Sequence, residues 1–202
     1  VYSMWKPDVD VLIPTSKKRL DNLMCQIHTA QNQGFQVRIT IAMSGQWIAL
    51  EEKLGAYDAE KIRLVYDAPD GLIGNPAVQY CIQNLEWCDW YYQTGDDDSL
   101  MPWGLKHLYE QIDEHSKMII GQAICVTKND HRDISHKKVG RVILEGAVSG
   151  VCVLFHMPSV KKLSPPWWNP ESKVADYELI RKMANSYPYK VIPNTVTILS
   201  LI

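Results

Sequence analysis

Short apolar segments rich in β-branched and aromatic residues alternate with longer amphipathic segments up to residue 94, and this alternation constrains the fold more than any other feature. The apolar segments have the length and composition of buried strands, and the segments between them have the spacing and the glycine or proline boundaries of helices. In order, the predicted elements are a strand at 8–14, a helix at 19–34, a strand at 35–43, a helix at 47–55, a strand at 61–67, a helix at 76–87 and a strand at 89–94. Strands connected through helices of this length form right-handed crossovers, so the sequence predicts an α/β fold whose mainly parallel sheet has helices on both faces.

The second half of the chain has a looser pattern. Its predicted elements are helices at 103–114 and 172–186, strands near 117–126, 148–156 and 189–199, and a polar loop at 127–138. A chain of 202 residues with 46% hydrophobic residues can bury one substantial core but is short for two ordinary enzyme domains. We therefore expect a single compact domain over residues 1–202, in which a small mixed C-terminal part extends the parallel sheet.

The composition argues against several classes of protein. The formal net charge is -2 and the pI is about 6.3, so the chain has no basic field that would hold a nucleic-acid backbone. Apolar runs such as 147–155 are too short to span a membrane. The five cysteines lie far apart without Cys-x-x-Cys spacing, which is typical of reduced core residues. We expect a cytoplasmic protein with no nucleic-acid partner and no membrane span.

Three adjacent acids, Asp96, Asp97 and Asp98, directly follow the strand predicted at 89–94. Ligands of open parallel sheets bind beyond the carboxyl ends of the strands, which is where these side chains are expected. One acid is enough to cap the helix that follows. Three carboxylates make each other harder to ionise, and a divalent cation such as Mg²⁺ or Mn²⁺ relieves that cost most directly. The pattern favours a metal site over a solvated helix cap and leaves both open.

Two other segments are predicted at neighbouring strand ends. The segment "PTSKKR" (14–19) offers small hydroxyls and basic side chains after the first strand. Gly71, Gly74, Asn75 and Pro76 form a tight turn into a helix, where free backbone amides can face an anion. Taken alone, each is typical of an ordinary loop or turn. Because both are expected at the same edge of the sheet as the acids, they strengthen the case for the metal site.

The chain resembles the family-2-like glycosyltransferases of the GT-A fold over nearly its whole length. The resemblance is carried, in order, by "PTSKKR", "GLIGNPAVQYCI", "WYYQTGDDDSLMP" and "ADYELI". The resemblance implies a Rossmann-like α/β/α sandwich in which residues 1–100 bind a nucleotide sugar and residues 101–202 form the acceptor and catalytic half. It implies that Asp96 and Asp98 are the Asp-x-Asp pair that binds Mn²⁺ or Mg²⁺, with Asp98 as the main metal ligand. The residues implied to contact the nucleotide sugar are Pro14, Thr15, Ser16, Arg19, Ser44, Asp67, Gly74, Asn75, Asp96 and Asp97.

The sequence departs from the family pattern at three places. Val78 and Gln79 stand where the family commonly has Arg-Asn, so one usual donor contact is missing. Alignment on the spacing to Pro102 would move the acidic pair to Gly95 and Asp97, which keeps Asp97 among the candidates. The Glu-Asp pair of the family is reduced to Asp176, which is either the catalytic base or only an acid in the first turn of a helix.

The resemblance implies transfer of a hexose from a UDP-sugar, with UDP-glucose as the first choice, to a hydroxyl acceptor with inversion at the anomeric carbon. Trp167 and Trp168 in "SPPWWNPE" could form an apolar platform for the acceptor, or could pack in the core. The alternatives are a nucleotide-sugar hydrolase and a non-catalytic module that binds a sugar nucleotide or carbohydrate. Because the chain is short, the acceptor region could also come from another subunit of an oligomer.

Overall fold

The computed structural model describes residues 5–71, 74–126, 133–134, 143 and 148–201. The strands are β1 (Val9–Pro14), β2 (Val37–Ala42), β3 (Ile62–Val65), β4 (Trp90–Gln93), β5 (Asp98–Leu100), β6 (Met118–Val126), β7 (Asp133–Ile134), β8 (Val153–His156) and β9 (Lys190–Leu201). The helices are α1 (Leu20–Gln31), α2 (Ile48–Leu54), α3 (Asn75–Asn84), α4 (Gly104–Tyr109), α5 (Met157–Lys162) and α6 (Ala175–Ser186). Over these described ranges, no helix has the length and apolar character needed to cross a membrane.

The strands form one sheet in the order β3-β2-β1-β4-β8-β6-β9-β5, and β7 pairs with β6. The strands from β3 to β4 are mutually parallel, as the alternation of strands and helices predicts. From β8 onward the pairing is mixed, because β8 is antiparallel to both β4 and β6 whereas β9 is parallel to β6. The α/β class with a small mixed C-terminal part is therefore confirmed.

Side-chain alternation along the strands divides the core between the two faces of the sheet. On one face, Val11 and Ile13 of β1 belong to an apolar cluster with residues of α1 and α4. On the other face, Leu12 belongs to a cluster with residues of α3, α5 and α6. Each face thus carries helices, which gives the three-layer α/β/α sandwich that the sequence predicts.

The structure differs from the predicted elements mainly in the second half. Helix α4 ends at Tyr109 rather than near 114, because the chain continues in tighter turns in which Gln111 and Ile112 bond to carbonyls three residues back. The predicted strand at 148–156 begins with a 3-10 turn over Gly150–Cys152. Helix α5 and strand β5 are not predicted at all. The polar loop at 127–138 lies outside the described residues except for 133–134.

Candidate active site

A cleft of about 700 Å³ opens at the carboxyl ends of β1, β2 and β4. The first residues of α3 and α6 and the turn at 149–151 complete its wall. Most of the residues singled out in the sequence line this cleft, namely Pro14, Thr15, Ser16, Arg19, Ser44, Gly74, Asn75, Asp96, Asp97, Asp98, Trp168 and Asp176. The topology thus brings six separate stretches of the chain to one site of the size that proteins use for small ligands.

Asp96 connects the acidic segment to the loop after β1. Its Oδ2 accepts a hydrogen bond of 2.6 Å from Thr15 Oγ1 and one of 3.2 Å from the Ser16 amide. The backbone of the segment is also fixed, because Asn22 Nδ2 of α1 donates to the carbonyl oxygens of Asp96 and Asp98 at 2.7 and 2.8 Å. The buried carboxylate of Asp96 therefore has a clear structural role beside any contact with a ligand.

Asp97 and Asp98 have different surroundings. Asp98 is 2% exposed, and its Oδ2 accepts a hydrogen bond of 2.7 Å from the Gly95 amide. The side chain of Asp97 is 41% exposed, and its Oδ2 lies 2.8 Å from Arg19 Nη1. Arg19 Nη1 also lies 3.6 Å from Asp96 Oδ1, so one exposed guanidinium compensates two carboxylates. Of the three acids, Asp97 presents the most accessible carboxylate to the cleft.

Two observations indicate that the acidic segment at 96–98 is suited to a divalent cation. A Cβ atom at Gly95 would lie 2.5 Å from Asp97 Oδ1 and 3.2 Å from Asp98 Oδ2, so glycine at this position allows both carboxylate oxygens to lie close to the same stretch of backbone. Among the described residues that line the cleft, five are acidic and two are basic, a formal charge of -3 that would repel a diphosphate. The described part of the chain holds no group of three or more Asp, Glu, His or Cys side chains suited to a metal. Mg²⁺ in nucleotide sites is usually held by one or two carboxylates together with substrate phosphates, so one or two acids of this segment would be enough to hold it when such a ligand is present.

The start of α3 is fixed against both β1 and the segment before α6. Gly74 adjoins Pro14 so closely that a Cβ atom there would lie 3.0 Å from Pro14 Cβ. Asn75 Oδ1 accepts a hydrogen bond of 2.8 Å from Trp168 Nε1, and its Nδ2 donates to the Ser172 carbonyl at 2.7 Å. The buried Asn75 side chain thus joins the glycine turn to the segment that carries Asp176.

Asp176 lies in the first turn of α6, on the cleft wall. Its Oδ2 accepts a hydrogen bond of 2.8 Å from the Gly150 amide, and its Oδ1 accepts one of 2.8 Å from its neighbour Tyr177. The indole of Trp168 also packs against Gly150, since a Cβ atom there would lie 3.0 Å from Trp168 Cη2 and 3.0 Å from Asp176 Cβ. Trp168 is only 2% exposed, which leaves little ring surface on which a sugar could stack. Its visible role is to support the turn that holds the Asp176 carboxylate.

Two predicted residues, Asp67 and Trp167, do not line the cleft. Asp67 accepts a hydrogen bond of 2.5 Å from Tyr80 Oη, and this bond raises the pKa of Tyr80. Trp167 donates from Nε1 to the Leu163 carbonyl at 3.1 Å, and Lys161 Nζ lies 4.6 Å from the centre of its ring. Both side chains are therefore engaged with the protein outside the cleft.

The structure adds lining residues that the sequence did not indicate, namely Asp70, Gln93, Ser149, Gly150 and Lys173. Gln93 carried a signal, since it is the single polar residue of the buried strand β4. Gly150 carried none, because a glycine in an apolar segment is equally typical of a bulge or a bend.

No protein-family model and no curated protein matches this sequence. Solved structures do match in fold. S. aureus TarS 1–349 aligns with a TM-score of 0.71 at 13% identity, over 96% of this chain and 60% of that one. TarS 1–349 in complex with UDP-GlcNAc gives a TM-score of 0.67 at 14% identity, over 96% of this chain and 58% of that one.

The mannosyltransferase PcManGT from Pyrobaculum calidifontis, in complex with GDP-Man and Mn²⁺, also matches. Its TM-score is 0.67 at 12% identity, over 98% of this chain and 57% of that one. This chain thus spans less than two thirds of the length of each of these structures. The likeness confirms the GT-A-like fold that the sequence resemblance implies.

Proposed function

We propose that the protein is a metal-dependent glycosyltransferase that moves a hexose from a UDP-sugar, with UDP-glucose as the first donor to test, to a hydroxyl acceptor with inversion. The observation that carries this proposal is the single cleft in which the loops after β1, β2 and β4 meet Asp176 at the start of α6. The complexes of similar fold with UDP-GlcNAc and with GDP-Man and Mn²⁺ support a nucleotide-sugar ligand.

In this proposal the nucleoside lies against the loops after β1 and β2. Thr15, Ser16, Arg19 and Ser44 line that part of the cleft with hydroxyl and guanidinium groups. Gly74 and Asn75 line the cleft at the start of α3, so the free backbone amides of this helix end would bind the diphosphate at the positive end of the helix dipole. Asp67 does not line the cleft, but a backbone bridge joins it to Ser44, so in this proposal it contacts the nucleotide only if its carboxylate leaves Tyr80.

The main ligand of the metal would be Asp97, and Asp98 and Asp96 would be secondary ligands. We propose Asp97 rather than Asp98 as the main ligand, because Asp98 is buried and bonded to the Gly95 amide whereas Asp97 is open to the cleft. Bound Mn²⁺ or Mg²⁺ would offset the charge that develops on the departing diphosphate. Arg19, which already lies beside Asp97, can add to that compensation from the protein.

Asp176 would be the general base. The acceptor oxygen attacks the anomeric carbon from the face opposite the diphosphate, the bond from that carbon to the phosphate oxygen breaks, and the acceptor proton passes to Asp176. The bonds from Gly150 and Tyr177 fix the carboxylate in one orientation, which a positioned base requires. Because Trp168 is buried, we propose that the acceptor binds by other residues, which could include a second subunit.

The experiment is a panel of UDP-glucose, UDP-GlcNAc, UDP-galactose and GDP-mannose, each with and without Mn²⁺, read by thermal shift and by release of nucleoside diphosphate. A ligand that binds the native state raises its apparent stability, so binding is visible before an acceptor is known. Release that depends on added sugar or glycan acceptors supports a transferase. Equal release without acceptor indicates a hydrolase, and binding without release indicates a binding module. If no donor in the panel raises the melting temperature, with or without Mn²⁺, the proposal is contradicted.

A further inference from the structure

Gln93, the last residue of β4, is buried to 91% and lines the floor of the cleft. Its side chain lies on the same face of the sheet as Tyr91, because residues two apart along a strand share a face. The next residue, Thr94, projects to the opposite face, where its Oγ1 lies 3.2 Å from Gln26 Oε1 of α1. Gln93 therefore belongs to the side of the cleft bounded by α3 and α6.

The carboxamide of Gln93 has one end bonded to the protein. Tyr91 Oη donates to Gln93 Oε1 at 3.2 Å. Complete burial raises the pKa of Tyr91 well above its usual value, so Tyr91 remains a donor and keeps the amide oxygen directed toward it. Within the described ranges, no residue accepts a hydrogen bond from Gln93 Nε2. Because Gln93 lines the cleft, this amide N–H is open to it, and a ligand oxygen can replace water there as the acceptor.

The neutral charge of Gln93 and the face of the sheet on which it lies indicate the kind of ligand oxygen that it would bind. The described cations of the cleft are Arg19, beside the acidic segment, and Lys173, in the segment before α6. Gln93 is neutral and lies on the face that also carries Trp168 and the start of α6, which holds Asp176. If Asp176 takes the acceptor proton, the reacting sugar must lie at this end. A neutral amide suits a sugar hydroxyl, whereas a diphosphate is bound better by cations.

We infer that the Gln93 side chain is a donor-sugar recognition group, whose amide N–H bonds a hydroxyl oxygen of the hexose in the cleft. This inference rests on the proposed function. It assigns selectivity for the sugar to the end of β4, and it separates sugar recognition from recognition of the nucleotide at the loops after β1 and β2.

The test compares wild type with Gln93→Leu by calorimetric titration with UDP, UDP-glucose and UDP-GlcNAc in the presence of Mn²⁺. We expect the variant to bind UDP within about twofold of wild type and to bind the tighter UDP-sugar about three- to tenfold more weakly, the loss of one neutral hydrogen bond. Deoxy analogues of that donor identify the hydroxyl, because wild type and variant should bind the analogue that lacks it equally. Gln93→Met, which is closer to glutamine in shape, replaces Gln93→Leu if the latter does not fold.

The matched control is Gln83→Leu, the same chemical change at an exposed position of α3, and it should leave both affinities unchanged. Unaltered binding of the UDP-sugar by Gln93→Leu would overturn the inference. An equal loss for UDP and for the UDP-sugar would also overturn it, since the contact would then be to the nucleotide. If wild type binds neither UDP nor a UDP-sugar, the proposed function fails and this inference fails with it.

Discussion

Replacement of Gly150 by alanine tests whether the turn at 149–151 positions Asp176. The added Cβ atom would lie 3.0 Å from both Asp176 Cβ and Trp168 Cη2. Carbon atoms in contact prefer about 3.5–4.0 Å, so the new methyl group requires a displacement of about 0.5–1 Å. Trp168 cannot move easily, because its indole N–H bonds buried Asn75 and its backbone amide bonds Gln79 Oε1 at 2.7 Å. We therefore expect the start of α6, with Asp176, to shift.

A displacement of about 1 Å at a reacting group can reduce a rate about a hundredfold, and overpacking costs about 1–3 kcal/mol of stability. We expect Gly150→Ala to lower kcat for sugar transfer by about ten- to a hundredfold while the Kd for UDP with Mn²⁺ stays within about twofold. The rate is measured as release of UDP with saturating donor, the Kd by calorimetry and the stability by urea denaturation.

Gly55→Ala is the control for a simple loss of stability. Gly55 does not line the cleft and has φ 60°, so alanine there is strained although no atom lies within 4 Å of its Cβ position. It should lose on the order of 1 kcal/mol of stability and keep wild-type kcat. If Gly150→Ala transfers sugar at the wild-type rate, or if its kcat and its affinity for UDP fall by the same factor, the positioning role of the turn is refuted.

Three other predictions address single groups. Asp97→Asn should abolish Mn²⁺-dependent binding of UDP, measured by calorimetry, and keep wild-type stability. Asp98→Asn should mainly lower the free energy of unfolding, by about 1 kcal/mol. The reverse pattern would make Asp98 the main metal ligand. Asp176→Asn should lower kcat by about 10²–10⁴-fold with little change in the Kd for UDP, and a parallel loss of both would assign Asp176 a structural role. Burial and the nearby Lys117 lower the pKa of His156 below 6.5 in the native state. Below pH 6.5 the unfolded chain therefore binds a proton at this residue more readily than the native protein does, and the free energy of unfolding falls as the pH drops. Urea denaturation at about pH 7.5 and about pH 5.5 should show a smaller difference in His156→Gln than in wild type, and equal differences would contradict this.

The sequence predicts which residues lie at the ends of β1, β2 and β4 because that side of the cleft is built from local patterns. Strands β1, β2 and β4 are short apolar segments, and the rule that ligands lie beyond their carboxyl ends places Thr15, Ser44 and Asp96 without further information. Strand β5 could not be predicted in this way. Its three residues extend the sheet only by pairing with β9, where Asp98 lies opposite Ser200, and such long-range pairing leaves no local signal.

The opposite wall depends on contacts between residues distant in sequence. Trp168 bonds Asn75, 93 residues away, and Gly150 bonds Asp176, 26 residues away. Aromatic residues beside prolines are equally typical of an exposed platform and of a buried support, so the pattern "PPWWNPE" cannot distinguish the two. Only the tertiary structure shows that Trp167 lies outside the cleft and that Trp168 is buried against Gly150.

The three adjacent acids indicate a cation in the sequence because their mutual repulsion needs compensation, but the folded protein already compensates each one differently. Asp96 receives hydrogen bonds from Thr15 and Ser16, and Asp98 receives one from the Gly95 amide. These donors are fixed in the fold, so those two carboxylates are stabilised whether or not a ligand is bound. Asp97 instead faces the exposed guanidinium of Arg19, and an exposed ion pair contributes only about 0–1 kcal/mol. Because that pair costs little to break, in the proposed enzyme Asp97 would exchange Arg19 for the divalent cation, and the guanidinium would then turn toward the incoming diphosphate.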